Sequence, residues 1–321
     1  MSEPLVQVSQ LKKYFPVRSN LFGKKTGDVK AVDGVDFTIR RGETFGLVGE
    51  SGSGKSTIGR MLLRLGEKTE GEILYKGIDL YALTREELRK VRPQMQMVFQ
   101  DPYSSLNPRI RIGEAIGEAL IEHGFAGKGE VRERVLEVLQ LCGLAAHHID
   151  RFPHEFSGGQ RQRIGIARAI ALDPDFIVAD EPVSALDVSI QAQIINLLQD
   201  LQESRQLTYL FISHDLSVVE HLCSTVGVLY LGSFVEVASR DELFDHPQHP
   251  YTRALLSAVP IADPTFKREK IILKGDIPSP LHPPSGCKFH TRCPLAQEVC
   301  QAERPALRDL GAGHLVACHL V

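Results

Sequence analysis

Eight consecutive residues, Gly49-Glu50-Ser51-Gly52-Ser53-Gly54-Lys55-Ser56, have the types and spacing for polyphosphate chemistry. They fit G-x-x-x-x-G-K-[ST], in which small residues let successive backbone N–H groups curl around phosphate oxygens. Lys55 can neutralise β- and γ-phosphate charge, and the Ser56 hydroxyl, followed by Thr57, can ligate Mg²⁺. A second group lies at Phe176-Ile177-Val178-Ala179-Asp180-Glu181, where an apolar run ends in two carboxylates. Asp180 suits Mg²⁺, directly or through water, and Glu181 suits polarisation of an attacking water. Adjacent residues at a strand end point in different directions, so one strand can supply both. The six cysteines form the third group: Cys142 and Cys223 stand alone, whereas Cys287, Cys293, Cys300 and Cys318 crowd the end of the chain. Four thiolates can hold zinc or an iron–sulfur cluster. The spacing contains no C-x-x-C, so it matches neither a common zinc knuckle nor a ferredoxin run, and structural cysteines, reduced or disulfide-forming, remain a third reading. His282, His290, His314 and His319 are nearby alternative ligands.

These groups need a scaffold, and the hydrophobic pattern supplies one. Apolar runs at 44–49, 96–100, 176–180, 209–213 and 226–230 read as strands buried on both faces. Ile190, Ile194, Leu197, Leu198 and Leu201 form a helical stripe between two of them. A helix is also expected over 56–65, directly after the phosphate loop, where its N-terminus adds partial positive charge. Strand–helix alternation predicts an α/β fold with a parallel sheet. The stretch from about 102 to 172 instead offers helices at 112–123, 128–141 and 158–172, which predicts an inserted helical subdomain. The first forty residues read as strands interrupted by a loop from Gly23 to Asp28. A boundary is expected near residue 245, giving a cassette over 1–245 and an extension over 246–321. In the extension Tyr251–Val259 reads as one short helix, while Pro278, Pro280, Pro283 and Pro284 disfavour regular structure. The extension is too loop-rich for a large core of its own, so it is expected to pack on the main domain or be held by its cysteines.

Composition is that of an ordinary globular chain: 321 residues, 43% hydrophobic, 24% charged and a net charge of -3. Nothing in it favours nucleic acid or an anionic membrane. No segment reaches the roughly 18 apolar residues of a spanning helix. Met1–Gln10 lacks a basic flank followed by an apolar core, so no secretory signal is expected.

Further short motifs share the chain with the phosphate loop: Phe99-Gln100-Asp101-Pro102, Ser157-Gly158-Gly159-Gln160-Arg161, Ser184-Ala185-Leu186-Asp187 and Ser213-His214-Asp215. Taken in this order, over roughly residues 5–240, the chain resembles the ATP-binding-cassette ATPases. The resemblance implies ATP and Mg²⁺ as cofactors, with Ser56, Gln100 and Asp180 at the metal and Glu181, His214 and Gln100 in catalysis. It implies that Phe15 stacks on adenine, with Tyr14 a rival by one position. It also implies a site completed in trans, in which Ser157, Gly158, Gly159, Gln160 and Asp187 of one subunit close over the phosphate loop, Gly49 to Thr57, of another. Ser157 has its own rationale as a helix N-cap ahead of two open glycine N–H groups. Ser213-His214-Asp215 does not read as a hydrolase triad, because chain neighbours face away from a shared geometry.

The extension narrows the resemblance. His249-Pro250-Tyr251-Thr252-Arg253-Ala254-Leu255-Leu256-Ser257-Ala258-Val259-Pro260, with Pro278-Ser279-Pro280-Leu281 and Gly286-Cys287, resembles the C-terminal extension of bacterial oligopeptide/dipeptide importer ATPases, second subunit type. The expectation is a P-loop fold with a mixed sheet, a small antiparallel β subdomain, a helical insertion and an irregular extension. The implied function is ATP hydrolysis energising di- or oligopeptide import from the cytoplasmic face of the inner membrane. The implied partners are a paralogous ATPase, two transmembrane permease subunits and an extracytoplasmic binding protein, without nucleic acid. The same resemblance associates the four late cysteines with a [4Fe–4S] cluster. Alternatives are an importer ATPase for nickel or glutathione, and a soluble non-transport cassette ATPase.

Overall fold

The computed structural model describes residues 3–18, 25–101, 103, 105–127, 129–259 and 270–321. Met1, Gly23, Pro102, Lys128 and Pro260, which figure in the expectations above, lie outside these. In chain order the strands are β1 (Pro4–Arg18), β2 (Lys25–Arg40), β3 (Thr44–Val48), β4 (Glu70–Tyr75), β5 (Ile78–Asp79), β6 (Met95–Val98), β7 (Phe176–Asp180), β8 (Thr208–Ser213), β9 (Thr225–Tyr230), β10 (Ser233–Ser239), β11 (Arg308–Asp309) and β12 (Leu315–Val316). The helices are α1 (Lys55–Leu62), α2 (Arg85–Val91), α3 (Ile112–Glu122), α4 (Val131–Leu141), α5 (Gly158–Ile170), α6 (Val188–Arg205), α7 (Leu216–Leu222), α8 (Arg240–Asp245), α9 (Pro250–Ser257) and α10 (Glu298–Ala302). The chain forms two compact units, one built mainly from 82–212 and the other from 4–39, 44–81 and 213–321.

In the first unit β6, β7 and β8 run parallel, with Met95 opposite Phe176 and Phe176 opposite Thr208. Every residue of β7 is buried, which explains its unbroken apolar run. The insertion between β6 and β7 is helical, as its pattern predicts. Ile112, Ile116 and Leu120 of α3, Val135, Val138 and Leu139 of α4, and Ile164, Ala167 and Ile170 of α5 form its core. Gly117 lets α3 and α4 approach closely, since a Cβ there would lie 2.6 Å from Val131 Cγ1. The α6 stripe faces inward through Ile194, Leu197, Leu198 and Leu201.

The second unit holds two sheets. One is antiparallel, in the order β2–β1–β4–β5. In the other, β3 and β9 are parallel, whereas β10, β12 and β11 add antiparallel, so the sheet is mixed. The expected loop over Gly23–Asp28 is corrected in part: β2 already begins at Lys25. This end of the strand is held at its edge, with Thr26 Oγ1 donating to the Val17 carbonyl at 3.1 Å and Lys30 N–H to the Pro280 carbonyl at 3.1 Å.

The extension packs on this unit, as its small apolar content requires. β12 pairs with β10, Glu236 opposite Val316. Glu236, fully buried, gathers three donors: Gln248 N–H at 2.7 Å, His249 N–H at 2.9 Å and His314 Nε2 at 2.7 Å. A second anchor is Asp33, which pairs with Lys288 at 2.8 Å and Arg304 at 3.2 Å and accepts from the Tyr14 hydroxyl. Burial alone would raise the Asp33 carboxyl, but hydrogen bonds from Lys288 and Tyr14 and the charges of Lys288 and Arg304 hold it at about 2. His249 Nδ1 accepts the Tyr251 N–H at 3.1 Å and so caps α9 as a neutral ring.

Burial lowers the His249 imidazole to about 3. The unfolded chain, near 6.5, therefore binds a proton that the folded chain refuses, and folding stability is complete above that value and declines as pH falls toward 3. Thermal melting followed between pH 7 and pH 5 should show this decline. His249→Asn, which can still accept at the helix cap, should flatten it; an unchanged slope in that variant would refute the linkage.

Candidate nucleotide site

The phosphate loop leaves β3 at its buried C-terminal end and enters α1 at Lys55. Its backbone passes through positive φ at Gly49 (150°), Gly52 (78°) and Gly54 (108°). A Cβ at Gly49 would lie 2.2 Å from the Leu229 carbonyl oxygen, and one at Gly54 would lie 2.1 Å from that of Ala31. Gly52, in contrast, has nothing within 4 Å of its Cβ position. The loop is thus wedged against backbone at two glycines and open at the third. Lys55 Nζ donates to the Gly49 carbonyl at 2.7 Å and the Glu50 carbonyl at 3.0 Å. The buried Ser53 hydroxyl has no protein partner among the described residues. An open cradle, a lysine held on loop carbonyls and an unpartnered buried hydroxyl fit a polyphosphate ligand with its metal. Ser51 is exposed here, and Ser56 and Thr57 are half-buried at the helix start.

In the other unit, β7 delivers Asp180 buried and then turns at Glu181, whose φ is 47°. A left-handed conformation is unfavourable for a side chain of this size. It is fixed by the Glu181 N–H donating to Ile212 at 3.0 Å and by the Ser184 hydroxyl donating to the Glu181 carbonyl at 3.1 Å. The turn takes Glu181 out of the strand's alternation, and Gln100 Nε2 donates to its Oε2 at 3.1 Å. Two residues 81 apart in the chain and assigned to one reaction are therefore in direct contact. The signature helix is α5. Ser157 Oγ accepts from Gln160 N–H at 3.3 Å and Gln160 Oε1 accepts from Ser157 N–H at 3.1 Å, a capping box. Ser157 and Gly158 remain exposed, as does Asp187 ahead of α6. Gly159 serves packing, since a Cβ there would lie 2.5 Å from Ile190 Cγ2.

His214 is exposed at the end of β8. Asp215 beside it caps α7, accepting from Ser217 N–H at 2.9 Å and Ser217 Oγ at 2.6 Å. Its carboxylate faces its own helix rather than His214, in line with the reading against a triad. Phe15 and Tyr14 also separate. Tyr14 is engaged through its hydroxyl with Asp33, whereas Phe15 is 45% exposed with Lys13 Nζ 4.8 Å from its ring centre.

The four late cysteines gather, but not as a ligand shell. Burial raises the thiols of Cys287, Cys293 and Cys318, and neighbouring sulfurs raise them further. All four are free thiols, and among the described residues no group of three or more His, Cys, Asp or Glu could hold a metal ion. The expected cluster therefore finds its donors but no assembled site. Cys287 is instead tied through its backbone, its N–H donating to the Cys300 carbonyl at 2.8 Å. The sequence reading missed the residues of the extension that reach the phosphate loop. Arg292 pairs with Glu50, and Tyr251 meets the Glu50 N–H. Separations of 242 and 201 residues leave no local pattern to find.

The chain is similar to known proteins along its length. Residues 32–184 match the family described as ABC transporter, and residues 235–300 match the oligopeptide/dipeptide transporter C-terminal region. The oligopeptide transport ATP-binding protein AppF of Bacillus subtilis is 56% identical over 99% of this chain and 98% of its own length. The chain belongs to the ABC transporter family. The dipeptide transport ATP-binding protein DppF of Haemophilus influenzae is 51% identical over 98% of this chain and 96% of its own. A solved ATP-binding-cassette dimer in a post-hydrolysis state, bound to ADP and phosphate, shares 31% identity with a TM-score of 0.66, covering 73% of this chain and 98% of that one. This chain is thus an ABC ATPase. Among its described residues no helix is long and apolar enough to cross a membrane.

The loop geometry makes a sharp prediction. Gly54→Ala combines a left-handed φ with a backbone clash, and should destabilise the fold by about 2 kcal/mol. It should also weaken ATP binding by more than about tenfold, because the cradle can form only if the loop shifts. Urea unfolding and titration with a fluorescent ATP analogue measure the two effects separately.

Proposed function

We propose that this chain is the ATP-hydrolysing subunit of an importer for di- and oligopeptides, docked on the cytoplasmic face of the inner membrane. The observation that carries this reading is the whole-length likeness to peptide-transport ATPases, which extends through the C-terminal region as well as the cassette. In the proposal the subunit pairs with a paralogous ATPase, contacts two permease subunits and receives its cargo through a binding protein.

Bound ATP with Mg²⁺ would supply the γ-phosphate that water attacks. Lys55 neutralises charge on the terminal phosphates, and the loop from Gly49 to Thr57 orients them through the N–H groups that follow Glu50. Ser56, Gln100 and Asp180 would hold Mg²⁺. Glu181 orients the attacking water and polarises it, and the contact with Gln100 makes its position sensitive to whatever moves Gln100. His214 contacts the terminal phosphate, and Phe15 offers its open ring to adenine. Ser157 and Gly158 at the exposed start of α5, with the half-buried Gly159 and Gln160 behind them, and the exposed Asp187 would meet a second subunit. Catalysis of this kind rests on positioning and charge neutralisation.

Glu181→Gln should keep ATP binding and lower turnover by about a hundredfold or more, as expected for loss of a general base. It should also accumulate a closed dimer, visible by size-exclusion chromatography with ATP. Normal turnover would sink the assignment. Peptide-dependent ATPase activity of the reconstituted complex tests the cargo.

The metal part of the proposal rests on donor chemistry alone: Cys287, Cys293, Cys300 and Cys318 are four possible thiolate donors, and a cluster would have to overcome the burial that raises the Cys287, Cys293 and Cys318 thiols. Anaerobically purified protein should then carry about four iron atoms per chain with broad visible absorbance, both lost in Cys293→Ser. Iron-free protein with an intact extension removes the metal from the proposal.

A further inference from the structure

The second unit contains a contact that the phosphate-loop motif does not require. Glu50, the second residue of the loop, is gripped by the extension at two points. Arg292 gives its carboxylate two parallel hydrogen bonds, Nη1 to Oε2 at 2.7 Å and Nη2 to Oε1 at 3.0 Å. The Glu50 N–H donates to the Tyr251 hydroxyl at 3.0 Å. Both partners are built in rather than draped over the surface. The Arg292 side chain is 8% exposed, and Tyr251 is fully buried in a ring cluster with Tyr230 at 4.8 Å and Phe289 at 5.3 Å. Hydrogen bonds to Glu50 hold the Arg292 guanidinium above its ordinary value.

The effect falls on the peptide group that joins Gly49 to Glu50. Its N–H is held by Tyr251, and its carbonyl accepts from Lys55 Nζ at 2.7 Å. A peptide group is planar, so fixing the direction of the N–H fixes that of the carbonyl. The extension thereby sets the orientation of the group on which the loop lysine rests. The Glu50 N–H is committed to the extension, and the phosphate cradle is left to the amides that follow.

We propose that the C-terminal extension is a positioning element of the nucleotide site, with Arg292 and Tyr251 as positioning residues. The ion pair to Glu50 and the hydrogen bond from its N–H hold the Gly49–Glu50 peptide in the orientation that places Lys55. This rests on the reading of the loop as the ATP site and adds a remote residue set to it. It also gives the extension a function that does not depend on a metal.

ATP affinity of the full chain, titrated with a fluorescent ATP analogue, tests the proposal. Arg292→Ala should weaken binding about tenfold, Arg292→Lys about threefold because it keeps the charge but loses the fork, and Tyr251→Phe about threefold. Arg308→Ala is the control: it removes a hydrogen bond to the Cys318 carbonyl, within the extension, without touching the loop or its supports. It should lower the melting temperature while leaving ATP affinity within twofold of wild type. ATP affinity of Arg292→Ala within twofold of wild type overturns the proposal. So does an equal loss in Arg308→Ala, which would mean generic loosening. If Arg292→Ala does not fold, Arg292→Lys, Tyr251→Phe and Glu50→Gln carry the same comparison. Wild-type protein that binds no ATP would defeat the reading of the loop itself, an outcome separate from these.

Discussion

The demand that shapes the second unit is that a short stretch of backbone turn its N–H groups outward toward an anion. Amides can do so only if the chain leaves ordinary φ space, and Gly49, Gly52 and Gly54 all do. Such a loop does not stay in place unaided. It is held because carbonyls stand directly behind it, that of Leu229 on β9 behind Gly49 and that of Ala31 on β2 behind Gly54. The parallel pairing of β3 with β9 and the position of β2 are therefore requirements of the loop as much as features of the sheet. The hydrogen bonds from Gly232 N–H to the Ser53 carbonyl at 2.9 Å and from Asp33 N–H to the Gly232 carbonyl at 2.7 Å join these supports into one lattice.

In the first unit the chemistry depends on a second local departure from regular structure. Strand alternation would carry Glu181 away from Asp180 in a fixed direction, and the left-handed turn at Glu181 changes that direction. A glutamate in this conformation is strained, and the bonds to Ile212 and Ser184 over-determine it. The same economy operates at α5, where Gln160 completes the cap that leaves Ser157 and Gly158 at an exposed helix start. Gly159 belongs to the core side of that junction, in contact distance of Ile190, so one short motif serves exposure and packing at once.

Much of this is legible in the residues. The buried strands announce themselves as apolar runs because both faces are covered, and β7 falls on Phe176–Asp180 as its pattern predicts. Helices α3 to α6 follow their periodicity to within a few residues. The phosphate loop is legible because its chemistry is local, every glycine and the lysine lying within eight residues. What is not legible is long-range. β2 begins inside a stretch rich in Gly and Lys because edge pairing and the extension hold it there, against its composition. The contact of Gln100 with Glu181 follows from no spacing, and the family resemblance implies only that both serve one reaction. Arg292 and Asp33 look like ordinary charged residues until the fold brings their partners. The cysteines show the opposite failure: their crowding is plain in the sequence, whereas the arrangement of their sulfurs is set by a backbone that no pattern specifies.

The extension explains why polar anchors were needed at all. Among its described residues only a few large apolar side chains, such as Tyr251, Leu256 and Phe289, are fully buried, and β11 and β12 are two residues each. So small a core supplies attraction without direction, since hydrophobic contact is nearly indifferent to register. Direction comes instead from three acidic sites, the buried Glu236 and Asp33 and the half-buried Glu50, each of which accepts only a particular donor set. Buried ion pairs add little net stability compared with well-packed apolar residues, but breaking one leaves an uncompensated charge. Each anchor therefore penalises every misplaced docking of the extension more than it rewards the correct one. Because one of the three acids is Glu50, the register so chosen for the extension is also the register of the phosphate loop.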